Sequence, residues 1–526
     1  MKKETQFDLI LIGSGMGALT VGSIYSKLKN KKVLILEQHF KLGGFTHTFR
    51  RDGKFEWDVG LHYLGKLQKG SPFRMLMDLI TDGEVEFNSM PEIFEKFVFP
   101  DFTFSVSSQE EKFKESLSQL FPKEKDAIIR YFQDVKDATN WFGRFMTSKS
   151  LPYGMDKLVK FFNDFTSNPS LVTTKEYLDH HFKDERLKAI LVGQWGDYGL
   201  PPSMSSFVIH ALIVEHYLQG GFYPDGSAKK IAESVKKIIE SRGGETRLNS
   251  KVTEILFSKD KAIGVIVEED KKGTGKETYE VYAPLIISDA GAYTTYKKLI
   301  PKQVSFMQEL DDIAHASAST TLYLGFKKDP REIGIFGENY WIYTSYDHDK
   351  IFKEKNSVLS GNPSLAYLSF PSLKDTKASG HTAEIITLVE FAPFEKWKNE
   401  KWKHRGEEYN ELKKKMSEGL INLVKKHIPK FEELIEYQEL STPLTNLGFT
   451  GHRDGTIYGI PCTKEKFQKE WLSPKTPFEN LYLTGVDVAC PGIAGAMAGG
   501  FSTLGHILDV SSIPGIFGEI RKVKLG

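Results

Sequence analysis

Cysteine is nearly missing from this chain: Cys462 and Cys490 are the only two among 526 residues. Two thiols cannot build a disulfide framework. No CxxC pair and no His/Cys cluster stands at metal-ligand spacing, so no metal is expected. Such sparse cysteine fits a reducing compartment. Long apolar runs are missing as well. Nothing approaches the roughly 20 apolar residues of a spanning helix. The basic start Met1-Lys2-Lys3 is followed by a short apolar run broken by Asp8, so no signal peptide is read. Charge of one sign is also absent: 70 basic residues face 69 acidic ones, and the net charge of +1 leaves no footprint for nucleic acid. Repeats and low-complexity linkers do not occur. These absences leave a cytoplasmic protein, with contact to a membrane surface as the remaining option.

What the chain does have is aromatic bulk (12%) and a 40% hydrophobic fraction, enough for a large core and a large apolar site. At about 150 residues per domain, its length allows two or three domains.

The most informative stretch comes first. Phe7-Asp8-Leu9-Ile10-Leu11-Ile12 runs straight into Gly13-Ser14-Gly15-Met16-Gly17-Ala18, and Val33-Leu34-Ile35-Leu36-Glu37 follows. This is the pattern of a dinucleotide-binding βαβ unit. Gly13 permits the tight turn, Gly15 lets backbone approach a pyrophosphate, and Ala18 lets the helix lie close to the strand. The helix start offers free N–H groups and partial positive charge to phosphates. Glu37, with Gln38 after it, stands where a carboxylate meets a ribose diol. Gly43 and Gly44 form a second glycine pair able to pass close to phosphates.

Helical spacing of Val21, Ile24, Tyr25 and Leu28 predicts a helix after the glycines, and 55–60 reads as a strand. Residues 70–215 change to long amphipathic stretches at 111–147 and 155–166, which read mostly as core and otherwise as part of a lipid tunnel. Patterning returns to βα at 218–292, with a helix over 227–241 and alternating strands at 252–256 and 262–267. A strand is expected at 285–291, others at 320–326 and 384–389, and a helix at 406–427. Asn480 to Asp487 reads as a strand entering a loop, followed by a small-residue helix from Gly492 to about Leu508. The expected fold is α/β: a Rossmann-type FAD-binding domain interleaved with a mixed α+β substrate domain. The boundaries are 1–69, 218–294 and 441–526 for the nucleotide parts, and 70–217 and 295–440 for the substrate parts.

Nucleotide contacts at both ends of the chain suggest one long ligand, and FAD fits. Adenosine would lie near Glu37 and Gln38, pyrophosphate over Gly13, Gly15, Met16, Gly17 and Ala18, with Gly43 and Gly44 alongside. The flavin would lie near Gly485, Asp487, Gly492, Ile493 and Ala494, where Asp487 could accept from ribityl hydroxyls. Val252 completes this set. The helix from Gly492 would aim its positive end at the electron-accepting ring. No second strand-linked GxGxxG exists, since Gly273-Thr274-Gly275 lies in a charged loop. Electrons therefore pass to or from an external donor or acceptor.

Several motifs resemble one family along almost the whole chain. They are Leu36-Glu37-Gln38-His39, His47-Thr48-Phe49, Asp58-Val59-Gly60-Leu61-His62-Tyr63-Leu64-Gly65, Gly196-Asp197-Tyr198-Gly199-Leu200-Pro201-Pro202-Ser203, Gly220-Gly221-Phe222-Tyr223-Pro224 and Ser441-Thr442-Pro443-Leu444-Thr445-Asn446. Together they are similar to the carotenoid desaturase/isomerase superfamily, and within it to the retinol saturase branch. The resemblance implies FAD and an apolar polyene or isoprenoid lipid as substrate. It also departs from the wider amine-oxidase-like pattern, which commonly carries Arg after the glycine pair; Phe45 stands there instead. Saturating a double bond needs a hydride and a proton. His62 is the candidate donor of the proton, with Tyr63 beside it; the alternative is that His62 only hydrogen-bonds the flavin or nearby backbone. His210 and His216 are weaker candidates, Cys490 reads as a packed thiol, and Asp58 as a brace for its turn. Desaturation and flavin-dependent isomerisation remain open, as do an amine or porphyrinogen oxidase and a prenyl-binding chaperone on the same architecture.

Overall fold

The computed structural model describes residues 3–151, 168–271, 275–313 and 316–508, together with 515, 518 and 519. The amphipathic stretch expected at 155–166, and Gly273-Thr274, lie outside the described residues.

A five-stranded parallel sheet carries the nucleotide fingerprint. Its strands are β1 (Leu9–Ile12), β2 (Val33–Leu36), β3 (Glu245–Arg247), β4 (Ile286–Ser288) and β5 (Leu481–Leu483), in the spatial order β3-β2-β1-β4-β5. Residues of β1 and β2 are wholly buried, as expected for strands covered on both faces. The order reverses between β1 and β4, so the loops after their C-terminal ends diverge and open a crevice there. Helix α1 (Met16–Lys29) leaves β1 and packs against the C-terminal helix α2 (Gly492–Ile507). Small residues make that approach possible: a Cβ on Gly500 would sit 2.7 Å from Thr20 Cβ. Three antiparallel strands, Ser250–Ser258, Lys261–Lys271 and Gly275–Tyr282, form a second sheet beside this core, with Lys3–Glu4 added parallel at its edge.

The other half is built on a seven-stranded mixed sheet. Its order is Ile435–Leu440, Ala318–Phe326, His381–Val389, Leu365–Ser369, Asn339–Tyr343, Ile93–Val98, Thr103–Ser107. All its pairings are antiparallel except Asn339–Tyr343 with Ile93–Val98. Helices Glu110–Leu120, Lys125–Ser150 and Phe207–Tyr217 pack on this sheet through an aromatic core that includes Phe97, Phe132, Trp141, Trp341 and Tyr367. Among the described residues no helix is long and apolar enough to cross a membrane.

The expected helix over 227–241 is Lys229–Glu240, and that over 406–427 is Gly406–Lys425. Asp58, expected to brace the turn that follows it, instead holds a distant segment: one oxygen accepts from the Ala228 amide at 3.0 Å, and the Tyr223 hydroxyl donates to the other. That clasp fixes the Gly220–Pro224 motif to the strand Phe55–Asp58.

Candidate active site

The sequence folds its glycines into a cradle because each loop is approached by something a side chain would block. Gly13 has φ +90°, a conformation side chains resist, and it turns the chain from β1 into α1. A Cβ on Gly44 would lie 3.0 Å from Gly15 Cα, so the two glycine loops nearly touch. Ahead of Gly492, at the start of α2, a Cβ would meet nothing within 4 Å, and no side chain caps that helix end. Its first turn lines the cavity with no side chain capping it, as an anion-accepting helix start requires.

A single cavity of about 580 Å³ begins at this cradle and extends to the seven-stranded sheet. Its walls include Gly13, Gly15, Met16, Glu37, Gln38, Gly43, Gly44, Val252, Asp487, Gly492, Ile493 and His62. The remaining expected residues lie just behind. Gly17 and Gly485 are packing glycines: a Cβ on Gly17 would meet the Gly485 amide nitrogen at 2.6 Å. Ala18 offers its amide to Asp289, Ala494 is off the wall, and Tyr63 sits behind His62. Neither His210 nor His216 reaches the cavity. His210 meets the Tyr131 hydroxyl, His216 accepts from the Gly65 amide at 2.8 Å, and burial pushes each imidazole down to about 3.

Two expected carboxylates are already engaged. Glu37 accepts from the Ser14 amide at 3.0 Å and hydroxyl at 2.6 Å on one oxygen, and from the His39 amide at 2.8 Å on the other. Burial raises its carboxyl above the usual range despite these donors. Asp487 was read as a ribityl acceptor. Its Oδ1 accepts from the Ile460 amide at 2.8 Å and its Oδ2 from the Ala292 amide at 2.7 Å, so its first task is to clamp two loops at the cavity wall.

Asp289, at the end of β4, is a site residue the sequence did not reveal. Its Oδ2 accepts from the Ala18 amide at 3.2 Å, and Cβ atoms on Gly15 or Gly485 would run into its carboxyl at 2.5 and 2.3 Å. Burial pushes this acid up to about 7, with the negative charges of Glu37 and Asp487 adding to the effect. Its only sequence signal was a buried strand ending in Ser-Asp-Ala-Gly at a turn.

At the far end the cavity becomes aromatic. Trp341, Tyr367 and Tyr458 line it with Leu365, Ile386 and Leu388, and Trp341 and Tyr367 pack at 4.3 Å between ring centroids. Two titratable side chains, His62 and Asp197, share that wall. Behind His62, Lys374 Nζ donates to the His62 carbonyl at 3.0 Å, to Asn339 Oδ1 at 2.5 Å and to Ser369 Oγ at 2.8 Å. Behind Asp197, the Tyr63 hydroxyl donates to its Oδ2 at 2.6 Å. A cradle for phosphates thus shares one space with an apolar, acid-bearing chamber, an arrangement suited to exchange between a dinucleotide and a greasy substrate.

Comparison with known proteins agrees with this geometry. Residues 11–79 match the model of an NAD(P)-binding Rossmann-like domain. The chain is 32% identical to an all-trans-retinol 13,14-reductase of Danio rerio, over 99% of this chain and 89% of that one. It is 25% identical to a chloroplastic prolycopene isomerase of Daucus carota, over 95% of this chain and 79% of the relative. A redesigned putrescine oxidase shares the fold at 14% identity, with a TM-score of 0.63 over 96% of this chain and 99% of that one. By its similarity across nearly the full length, the chain belongs to the all-trans-retinol 13,14-reductase family of oxidoreductases.

Proposed function

We propose that this chain uses FAD to reduce a carbon–carbon double bond of an apolar polyene or isoprenoid lipid. The observation that carries the reading is the continuity of the cavity from Gly13 to Tyr367. Glu37 and Gln38 would hold the adenosine, the loops at Gly13–Met16 and Gly43–Gly44 the pyrophosphate, and Asp487, Gly492 and Ile493 the ring system. FAD, when bound, supplies two-electron hydride exchange. The chain's own part is to exclude water, to align the double bond between aromatic walls, and to hold a proton near it. His62 and Tyr63 belong to that reaction end. Because the sequence offers no second nucleotide fingerprint, the electrons come from an external donor. The lipid enters from a membrane surface that the protein touches peripherally.

The test is anaerobic. The purified protein should be yellow; its flavin is reduced and candidate polyenes are added. Reoxidation of flavin with gain of two hydrogens in the product is the expected result. An unchanged product mass with altered geometry would replace reduction by isomerisation, the activity named for the Daucus carota relative. A colourless protein that takes up no FAD overturns the proposal.

A further inference from the structure

We propose that Asp197 is the acid that hands the proton to the substrate carbon, with Glu95 as the residue that keeps it protonated and Tyr63 as the link between them. This rests on the reductive reading above and adds the proton's source.

The geometry demands a proton in this cluster. Tyr63 donates to Asp197 Oδ2 at 2.6 Å, and the same hydroxyl also interacts with the Glu95 carboxyl. A phenol has one hydrogen, so it cannot satisfy two carboxylates together. Glu95 is wholly buried, and it accepts from Gln194 Nε2 at 2.7 Å on one oxygen and from Trp341 Nε1 at 3.1 Å on the other. Asp197 has no hydrogen-bond donor besides Tyr63 among the described residues. Burial raises both acids, Glu95 to about 7, but its two N–H donors mark Glu95 as the better anion of the pair and Asp197 as the member that holds the proton more tightly. Like charges so close cannot both ionise without large cost.

Burial and the Glu95 charge favour the protonated form of Asp197, against the hydrogen bond that Tyr63 donates to it. Its surroundings are the phenols of Tyr63, Tyr217, Tyr343, Tyr367 and Tyr458 and the carboxyl of Glu95. Tyr198, its chain neighbour, adds another phenol. Lys374 lies on the Glu95 side, and His62 shares the cavity wall. Burial first, then the Glu95 charge, raises the Asp197 carboxyl well above the carboxylate range. An acid so placed favours its protonated form and faces the apolar chamber directly.

The step balances as follows. The O–H bond of Asp197 breaks and a C–H bond forms at one alkene carbon. The other carbon receives a hydride from the reduced flavin dinucleotide that the proposed function already requires. The alkene is reduced by two electrons, the dinucleotide is oxidised by two, and Asp197 is left as carboxylate until solvent returns a proton. Positive charge developing along the polyene is stabilised by that carboxylate and by the faces of Trp341 and Tyr367. His62 is less suited, because its Nδ1 is already paired with the buried Glu384, 2.7 Å away.

Two measurements on the flavin-loaded protein test this. The infrared difference between wild type and D197N at neutral pH should contain a protonated-carboxyl band that shifts in heavy water, over the bands of other raised acids such as Asp58 and Asp289 that both proteins share. A difference spectrum without that band overturns the proposal, and this reading needs no substrate or turnover. In the anaerobic assay D197N should keep flavin absorbance and lose about 100-fold or more in polyene-dependent reoxidation. Wild-type turnover should fall as rising pH ionises Asp197. E95Q removes the neighbouring negative charge, so the fall should move to lower pH by about one unit. Unchanged turnover in D197N, or an E95Q profile that overlays the wild type, refutes the assignment. Wild-type protein that binds no flavin defeats the proposed function instead, a result separable from these.

Discussion

His62 Nδ1 stands 2.7 Å from Glu384 Oε2, and the Glu384 side chain is fully buried. Lys374, which donates to the His62 carbonyl, shares this pocket, and burial pushes its ammonium down to about 7 against the pull of Glu384 and Glu95. Replacing Lys374 with Met leaves three buried acceptors without their donor, and a loss of about 2–4 kcal/mol is expected. The pH dependence has a definite sign. Between about 7 and the ordinary 10.5 the unfolded chain holds a proton that the folded chain lacks, so Lys374 contributes stability that rises with pH across that window. Urea midpoints of wild type and K374M should therefore diverge from pH 7 to 10. Parallel curves would refute the assignment.

If the cradle takes FAD as proposed, Asp289 should make that affinity depend on pH. Its carboxyl sits over the start of α1, where phosphates are expected, and is raised to about 7. Below that value it is neutral; above it, a carboxylate faces an anionic ligand. FAD uptake, followed by fluorescence quenching, should weaken several-fold between pH 6 and 8 in the wild type and stay flat in D289N. An equal slope in both proteins would show that Asp289 plays no part.

Much of this site was legible in the sequence, and the reason is local. Gly13, Gly15 and Glu37 follow closely on strands, so spacing alone predicts what they approach. Asp289 was not legible, because its role depends on β4 lying beside β1, some 270 residues away in the chain; Ala18 and Asp289 are 271 positions apart. The aromatic chamber is hidden for the same reason: Trp341, Tyr367 and Asp197 meet only after two distant sheet strands and a helical segment converge. Asp487 shows a second role that spacing does not reveal. Its position after a strand suggests a ligand contact, and it lines the cavity, but its oxygens also hold the amides of Ala292 and Ile460 from distant loops. Strand and helix periodicity located most elements within a few residues, since burial of one face leaves a repeating mark that site geometry does not.

The clasp at Asp58 predicts a contrast between two substitutions. This fully buried acid is raised well above the carboxylate range, by burial first and then by Glu384. That direction favours the protonated acid in the folded chain, and an amide imitates it by accepting from Ala228 and donating to the Tyr223 oxygen. D58N should cost under about 1 kcal/mol, whereas D58A strands the Ala228 amide and the Tyr223 hydroxyl at about 2–4 kcal/mol. The folded chain keeps a proton that the unfolded chain releases above its ordinary value of 3.8, so this group's contribution falls as pH rises from there. Thermal melts from pH 4 to 7 should show wild type losing ground against D58N. A D58N protein as unstable as D58A would mean that the carboxylate, not the acid, is the folded form.

Gly17 and Gly492 should respond differently to alanine, although both stand at helix starts by the cradle. At Gly17 a Cβ would lie 2.6 Å from the Gly485 amide nitrogen and 2.7 Å from Asp289 Oδ1, so α1 must shift away from the sheet. The shift opens the contact between α1 and the loop that follows β5, and it displaces the glycine loop. At Gly492 there is open space, and the cost is only the φ of +84° that alanine resists, about 1–2 kcal/mol. G17A should therefore lower the melting temperature strongly and lose flavin during purification. G492A should melt only modestly lower and stay yellow, with its FAD affinity reduced by the side chain that now faces the ring system. If G492A proved the more damaging of the two, the open space ahead of α2 would not be where the cofactor lies.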